Sequence, residues 1–377
     1  MVLPSKIDIL HLCHTMTMSK EGKPQIVEQG DIFFLYRPKV GAEEISDTED
    51  VQRFYMVTAP EEKDSKYRLF ILGRKRLPEI VEGRSTSEER NWALNILTTN
   101  NPEDIRKELL AAEYETETKG KRRMAPAAPA GEGKYSIVKH DKHTELAYVL
   151  ELPEIPGPTQ KEFDIKKEAS YIISVKNPDI QIPGFKAFEK RKPQYPERIR
   201  KEFGDRRWIN VEDPELLNYE NTQMLLIGAR KKDVAEELGI DLNEEKETAN
   251  TADLFRELKI RKDQVPLKSL LKGEFPGKGE QQPMAAEVKQ LSREEAPGRG
   301  GKVGGKAAAT RAPSAAAIAK LLSGVDFPKR KNELIGHAEA NKAKVEAAEE
   351  VIQVIRELPE RTYSNMADVE KAVAEVR

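Results

Sequence analysis

The stretch Gly30-Asp31-Ile32-Phe33-Phe34-Leu35-Tyr36-Arg37-Pro38 sets a short, bulky apolar run between a glycine and a proline. It is too short for a helix, and its aromatic and β-branched content favours a strand. Two runs of the same kind follow. Val51–Thr58 is rich in aromatic and β-branched residues, and Tyr67–Leu72 stops at Gly73. Three such runs in succession start a sheet.

Outward from these strands the pattern changes. Ser85-Thr86-Ser87-Glu88 has capping-box spacing, so a helix is expected through Trp92, Leu94, Ile96 and Leu97. Asn101-Pro102 starts a second helix, with Ile105, Leu109 and Leu110 on its apolar face. Residues 119–133 are basic, then Ala-Pro-Gly-rich, and read as a loop. Strands resume at Tyr135–Lys139, Glu145–Leu152, Tyr171–Val175 and Met224–Ile227. Helices are expected near Val234–Leu238 and Leu254–Leu258. Strands and helices come in blocks, which indicates an α+β body with a mostly antiparallel sheet and flanking helices. Leu69–Lys75 and Met224–Lys231 share a strand–glycine–basic pattern, a faint internal echo.

The chain has 377 residues, enough for two or three folded units. Residues 19–275 are read as the body, of one or two subdomains. Residues 276–313, with Gly298–Lys302 and Ala307–Ala309, are read as a flexible linker. Residues 314–377 form a small helical bundle, and 1–18 a non-native or disordered extension. Translation is expected to start at Met16 or Met18.

With 34% charged and 38% hydrophobic residues the chain is polar but not wholly disordered. The formal net charge is −2, so any polyanion site must be a local patch. Cys13 is the single cysteine, which excludes an internal disulfide and a four-cysteine zinc site and fits a reducing compartment. No apolar stretch approaches the ~20 residues of a membrane helix. No secretory leader is visible. A cytoplasmic protein is expected, with no membrane partner.

Four short helices are expected after Ser314. Leu321 and Leu322 lie on the first, Leu334, Ile335 and Ala338 on the second, Val345, Ala348, Ile352 and Ile355 on the third, and Met366, Val369 and Val373 on the fourth. Phe327 and Leu334 are read as core, Pro328 as a helix start and Tyr363 as a cover for the bundle. The segments Leu322-x-Gly-Val-Asp-Phe-Pro, Lys331-x-Glu-Leu-Ile-x-His-Ala, Leu358-Pro-x-Arg-x-Tyr-Ser and Asp368-Val369 occur in order. This region resembles the small bacterial domain-of-unknown-function family 2795. The resemblance implies a helical fold and carries no established activity or catalytic residue. The body, through Gly30–Pro38, is loosely similar to uncharacterised bacterial proteins.

The search for chemistry is mostly negative. There is no phosphate-binding glycine loop and no Gly-x-Ser-x-Gly elbow. His11, Cys13 and His14, and separately His140 and His143, are too few for a metal site. His337 sits beside charged residues without a nucleophile or acid partner. No catalytic residue, metal ligand or cofactor is assigned.

Basic residues interleave with aromatic ones at Arg37, Arg53, Arg74, Lys75 and Arg76, and Lys119, Lys121, Arg122 and Arg123 form a basic loop. Such a surface can stack bases and hold phosphates. Alternating strands with aromatics inward and charges outward give the same pattern without a ligand. The reading is therefore a non-enzymatic binding or regulatory adaptor, two modules on a linker, with a protein partner. A nucleic-acid-binding protein is the alternative, and an enzyme of unrecognised type the third.

Overall fold

In a computed structural model of the chain, residues 24–291 and 321–373 are described. The exceptions are 43, 63, 81–88, 117–119, 140–142, 181–191, 231–232, 279, 281–287, 343–347, 367 and 370–371. The expected extension 1–18, most of the expected linker and the start of the first C-terminal helix lie outside them.

The body is a closed antiparallel barrel. Its first four strands, β1 (Gln25–Pro38), β2 (Val51–Pro60), β3 (Tyr67–Leu72) and β4 (Arg90–Thr99), run as a meander. Helix α1 (Pro102–Leu109) and the hairpin β5 (Ala111–Thr116) and β6 (Gly120–Met124) follow. A second meander has β7 (Ala128–Lys139), β8 (Thr144–Leu152) and β9 (Glu168–Lys176), with the short helix α2 (Pro158–Glu162) between the last two. Then come α3 (Glu197–Phe203), β10 (Trp208–Asn210), β11 (Gln223–Arg230), α4 (Val234–Leu238), α5 (Asp253–Glu257), α6 (Lys268–Lys272) and β12 (Val288–Gln290).

Strand β1 pairs with β7, and β4 with β11, so the two meanders join at both edges. The eight strands in order β1-β2-β3-β4-β11-β9-β8-β7 return to β1, and β10 adds to the end of β9 beyond β8. Closure removes the free edges that an open sheet must protect.

The opening run is continuous because both faces of β1 are covered. Ile32, Phe34 and Tyr36 point into the lumen core, while Phe33 and Leu35 join an outer apolar layer. The lumen is filled by side chains. Phe54 stacks on Phe163 at 4.7 Å between centroids, Phe34 meets Tyr148 at 5.2 Å, and Tyr148 meets Tyr171 at 6.3 Å. Small residues make room where strands coil tightly. At Gly30 and Gly133 an added Cβ would run into the carbonyl oxygens of Ala59 and Val149.

Three expectations are corrected. The mixed α+β class and the antiparallel sheet stand, but the sheet is closed rather than an open layer with flanking helices. The expected helix through Trp92–Leu97 is β4; its cap, Ser85–Glu88, lies outside the described residues. The inward positions of β4 are Asn91, Ala93 and Asn95, so the strand alternation is hidden by buried amides. Those amides are satisfied by backbone: Asn91 Nδ2 donates to Gly73 O at 2.5 Å and Asn95 Nδ2 to Leu217 O at 2.7 Å. The expected loop 119–133 supplies β6 and the start of β7. Ala128 and Ala130 join the lumen core, where the barrel needs small residues, while Ala127 joins the outer layer and Gly120 turns the β5–β6 hairpin.

Val288–Gln290, within the expected linker, is a strand paired in parallel with β5. The echo also does not mark equivalent positions. Leu69–Lys75 overlaps the third strand of the first meander, whereas Met224–Lys231 overlaps β11, the strand closing the second.

The C-terminal region has its own core. Leu321, Leu334, Ala338, Val351, Ile352, Ile355, Val369 and Val373 are buried together. The helices Lys331–Ala340 and Ala348–Glu357 match the expected apolar spacing. Tyr363 is fully buried and donates to Pro359 O at 2.8 Å. A two-residue ladder, Lys329–Arg330 against Thr362–Tyr363, ties the entry of the Lys331–Ala340 helix to the segment after Ala348–Glu357.

Candidate functional site

Three clusters of buried charge organise the barrel. None was nominated by motif.

The first lies inside the lumen. Glu28 on β1, Arg68 on β3 and Tyr135 on β7 all face inward. The Arg68 guanidinium donates to both Glu28 oxygens, at 2.7 and 2.8 Å, and to Asn218 Oδ1 at 2.6 Å. Tyr135 donates its hydroxyl to Glu28 at 2.7 Å. Burial alone would lower the Arg68 pKa, but the facing Glu28 carboxylate outweighs it and holds it above its ordinary value. Burial, then Glu28, pushes the Tyr135 phenol well up. The fork geometry satisfies both ions. This is a structural pair with no open position.

The second lies on the outer wall. Lys134 on β7 bridges Asp31 on β1, at 2.6 Å, and Asp253 at the start of α5, at 2.7 Å. Glu132 accepts from the backbone N–H groups of Asp253 at 3.1 Å and Leu254 at 3.0 Å. Glu151 on β8 accepts from Glu245 N at 2.5 Å. Burial pushes Asp31 up to about 6, Glu151 up to about 7 and Glu132 up to about 8. Desolvation works to lower the Lys134 ammonium, yet its bonds to Asp253 and Asp31 hold it raised.

The third centres on Glu145 of β8, 1% exposed. Both its oxygens accept from Arg230 Nη1, at 2.7 and 2.8 Å, one accepts from the Ser170 hydroxyl at 2.6 Å, and the other contacts His143 Nε2 at 2.9 Å. Burial raises its pKa, but these donors more than offset that and the carboxyl is lowered. Serine, histidine and glutamate are the residue types of a hydrolytic triad. Here the serine hydroxyl donates to the carboxylate itself, so no nucleophile–imidazole pair exists.

The basic residues nominated from sequence are placed apart. Arg37 is 2% exposed and its donors go to Leu110 O at 3.0 Å, Ala125 O at 2.5 Å, Glu108 O at 2.7 Å and Tyr55 Oη at 3.3 Å. It fastens β1 to the end of α1, and a phosphate cannot reach it. Its nomination is corrected on that ground. Arg53 stands opposite Arg37 in the β1–β2 register and is half-buried. Arg74 is exposed, with a left-handed backbone at φ 49°. Lys75 donates to Thr48 O at 3.0 Å, and burial, then Lys39, lowers its pKa. Arg76 pairs with Glu79 at 3.3 Å and Asp164 at 3.6 Å.

The aromatics meant to stack, Tyr36, Phe54 and Tyr55, are buried. Lys121, Arg122 and Arg123 lie on β6 and face Glu115, Tyr114 and Glu113 of β5 in the register. Lys119, His140 and the group His11, Cys13 and His14 fall outside the described residues.

A groove of about 420 Å³ between α1 and β12 is lined by Leu97, Asp104, Lys107, Glu108, Leu110, Val288 and Lys289. Its Lys289–Glu108 pair, at 3.1 Å, crosses it. Among the described residues no three histidine, cysteine, aspartate or glutamate side chains converge as a metal requires. None of the described helices is long and apolar enough to cross a membrane. His337 contacts Ser323 O at 3.0 Å through Nε2.

No curated protein and no solved structure matches the chain. Residues 313–370, the region of the separate helical core, match the family described as protein of unknown function (DUF2795).

Proposed function

We propose that this chain is a non-enzymatic binding or regulatory adaptor of the bacterial cytoplasm, in which the barrel and the C-terminal helical region each engage a protein partner. The observation that carries this reading is the filled lumen. Phe34, Phe54, Phe163, Tyr148 and Tyr171 occupy the space in which a barrel of this size would hold a ligand. The cations of the charged clusters, Arg68, Lys134 and Arg230, are likewise held by carboxylates of the same chain. Recognition is then left to outer surfaces, and two separately cored regions in one chain favour avidity over catalysis.

The test is site-specific photo-crosslinking of the full chain in its host cells, from exposed Lys121 on β6 and exposed Glu339 in the C-terminal region. Reproducible protein adducts from both positions are expected. Absence of adducts from both would refute the adaptor.

The second reading rests on exposed Lys121 beside Arg122 and Arg123. It predicts salt-dependent binding of single-stranded RNA or DNA, measured by anisotropy, that Lys121→Glu weakens. Equal binding by the variant would remove that reading.

A further inference from the structure

The outer-wall cluster does more than fill space. Residues 244–258 lie over β1, β7 and β8, and much of their length is exposed. Their anchors are few. Glu245 N rests on Glu151, Asp253 N and Leu254 N rest on Glu132, and Asp253 shares Lys134 with Asp31. Leu254 and Leu258 then sit in the same apolar layer as Phe33, Leu35, Val57 and Leu69, the outer faces of β1, β2 and β3.

The charges on the two sides are alike. The wall brings Asp31, Glu132 and Glu151. The segment brings Asp253 and Glu247, whose Oε2 is buried without a hydrogen-bond partner, as is that of Glu151. Glu247 raises both Glu132 and Glu151. The cations at the contact are Lys134, Arg256, which pairs with Asp253 and with Glu257, and at the margin Lys167. Tyr67 on β3 donates to Glu257 at 3.3 Å, and Lys167 holds Glu244 at 2.6 Å at the margin. With every carboxyl ionised, anions outnumber cations across a water-poor contact, which opposes docking.

We propose that residues 244–258 form a strap whose grip on the barrel wall weakens as pH rises through the neutral range, uncovering the apolar outer face of β1, β2 and β3. The sign follows from proton linkage. Asp31, Glu132 and Glu151 all have pKa values raised in the docked state, to about 6, 8 and 7. The docked strap therefore holds protons that the released one gives up. Docking is strongest below the ordinary carboxyl range and is lost as pH rises through the raised values. Each proton released changes the opening constant by about tenfold per pH unit. Glu132 and Glu151 together give roughly tenfold to a hundredfold between pH 6 and pH 7.

The experiment is hydrogen–deuterium exchange by mass spectrometry on the full chain from pH 5.5 to 8.5, corrected for intrinsic exchange. Peptides covering 244–258 should lose protection steeply with rising pH, while peptides of β8 and β9 hold theirs. Glu132→Gln and Glu151→Gln, which keep an acceptor but cannot ionise, should each flatten the slope. A corrected opening constant changing less than about threefold across the range, or rising toward acid, overturns the strap. So does parallel loss in the barrel strands. Wild-type exchange decides the matter even where a variant fails to fold.

Discussion

Replacing Arg68 by Met tests the charge buried inside the lumen. The side chains of Arg68 and Glu28 are 2% and 7% exposed. Met keeps most of the apolar stem but removes the guanidinium that holds both Glu28 oxygens and Asn218. Glu28 is left with one donor, the Tyr135 hydroxyl. Breaking a buried pair from one side costs about 3–5 kcal/mol, because the remaining charge has no partner. For a barrel of this size that lowers the midpoint by roughly 2–4 °C per kcal/mol.

The readout is intrinsic. Both tryptophans, Trp92 and Trp208, lie in β4 and β10, so denaturant unfolding followed by their fluorescence reports the barrel and not the C-terminal region. The double change Arg68→Met with Glu28→Gln removes the orphaned charge and should recover a large part of the loss. A single-variant cost below about 1 kcal/mol, the range of exposed pairs, would refute the reasoning. So would a double variant as unstable as the single one.

Three further outcomes follow from the same geometry. Glu145 has a lowered pKa, so its stabilisation is present above the ordinary carboxyl range and is lost as pH falls through the lowered value. Tryptophan-monitored midpoints should drop once the pH falls below the ordinary carboxyl range, and Glu145→Gln should be less stable at neutral pH with a shallower limb in that acid range. Gly133→Ala drives a Cβ into the Val149 carbonyl, so strands must shift; a loss of about 1–3 kcal/mol is expected in the same assay. Leu334→Ala opens the C-terminal core and should cost about 2–5 kcal/mol there, seen by calorimetry as a shifted transition with tryptophan midpoints unchanged.

The parts of the chain that were legible share one feature: local pattern and tertiary environment agree. Asn101 caps α1 through Glu103 N, as its position before Pro102 indicates, and Ile105 and Leu109 are buried. In the C-terminal region Leu334, Ala338, Ile352 and Ile355 meet at the expected spacing. Illegible parts are those where the barrel reverses local preference. Asn91 and Asn95 point into the core because backbone carbonyls wait there. Ala128–Gly133 is strand because closure needs small inward residues. The charged clusters were missed for a related reason. Arg68 alternates with Phe70 and Leu72 on one face of β3, a polar residue in an inward register, and only its contact with Glu28, 40 residues earlier, explains it.

By itself the sequence determined most of the apolar strand runs, the α1 cap and the apolar spacing of the separate helical region, because each depends on neighbours a few residues apart. The tertiary structure alone decided that the sheet closes and that Arg37 is buried. It also decided that carboxyls from β1, β7 and β8 meet Asp253 under one strap. Those facts rest on pairings between residues about a hundred positions apart, such as Asp31 with Lys134, and on the burial that closure imposes on them. Charge in a sequence reads as solvated surface; only packing shows which charges water cannot reach.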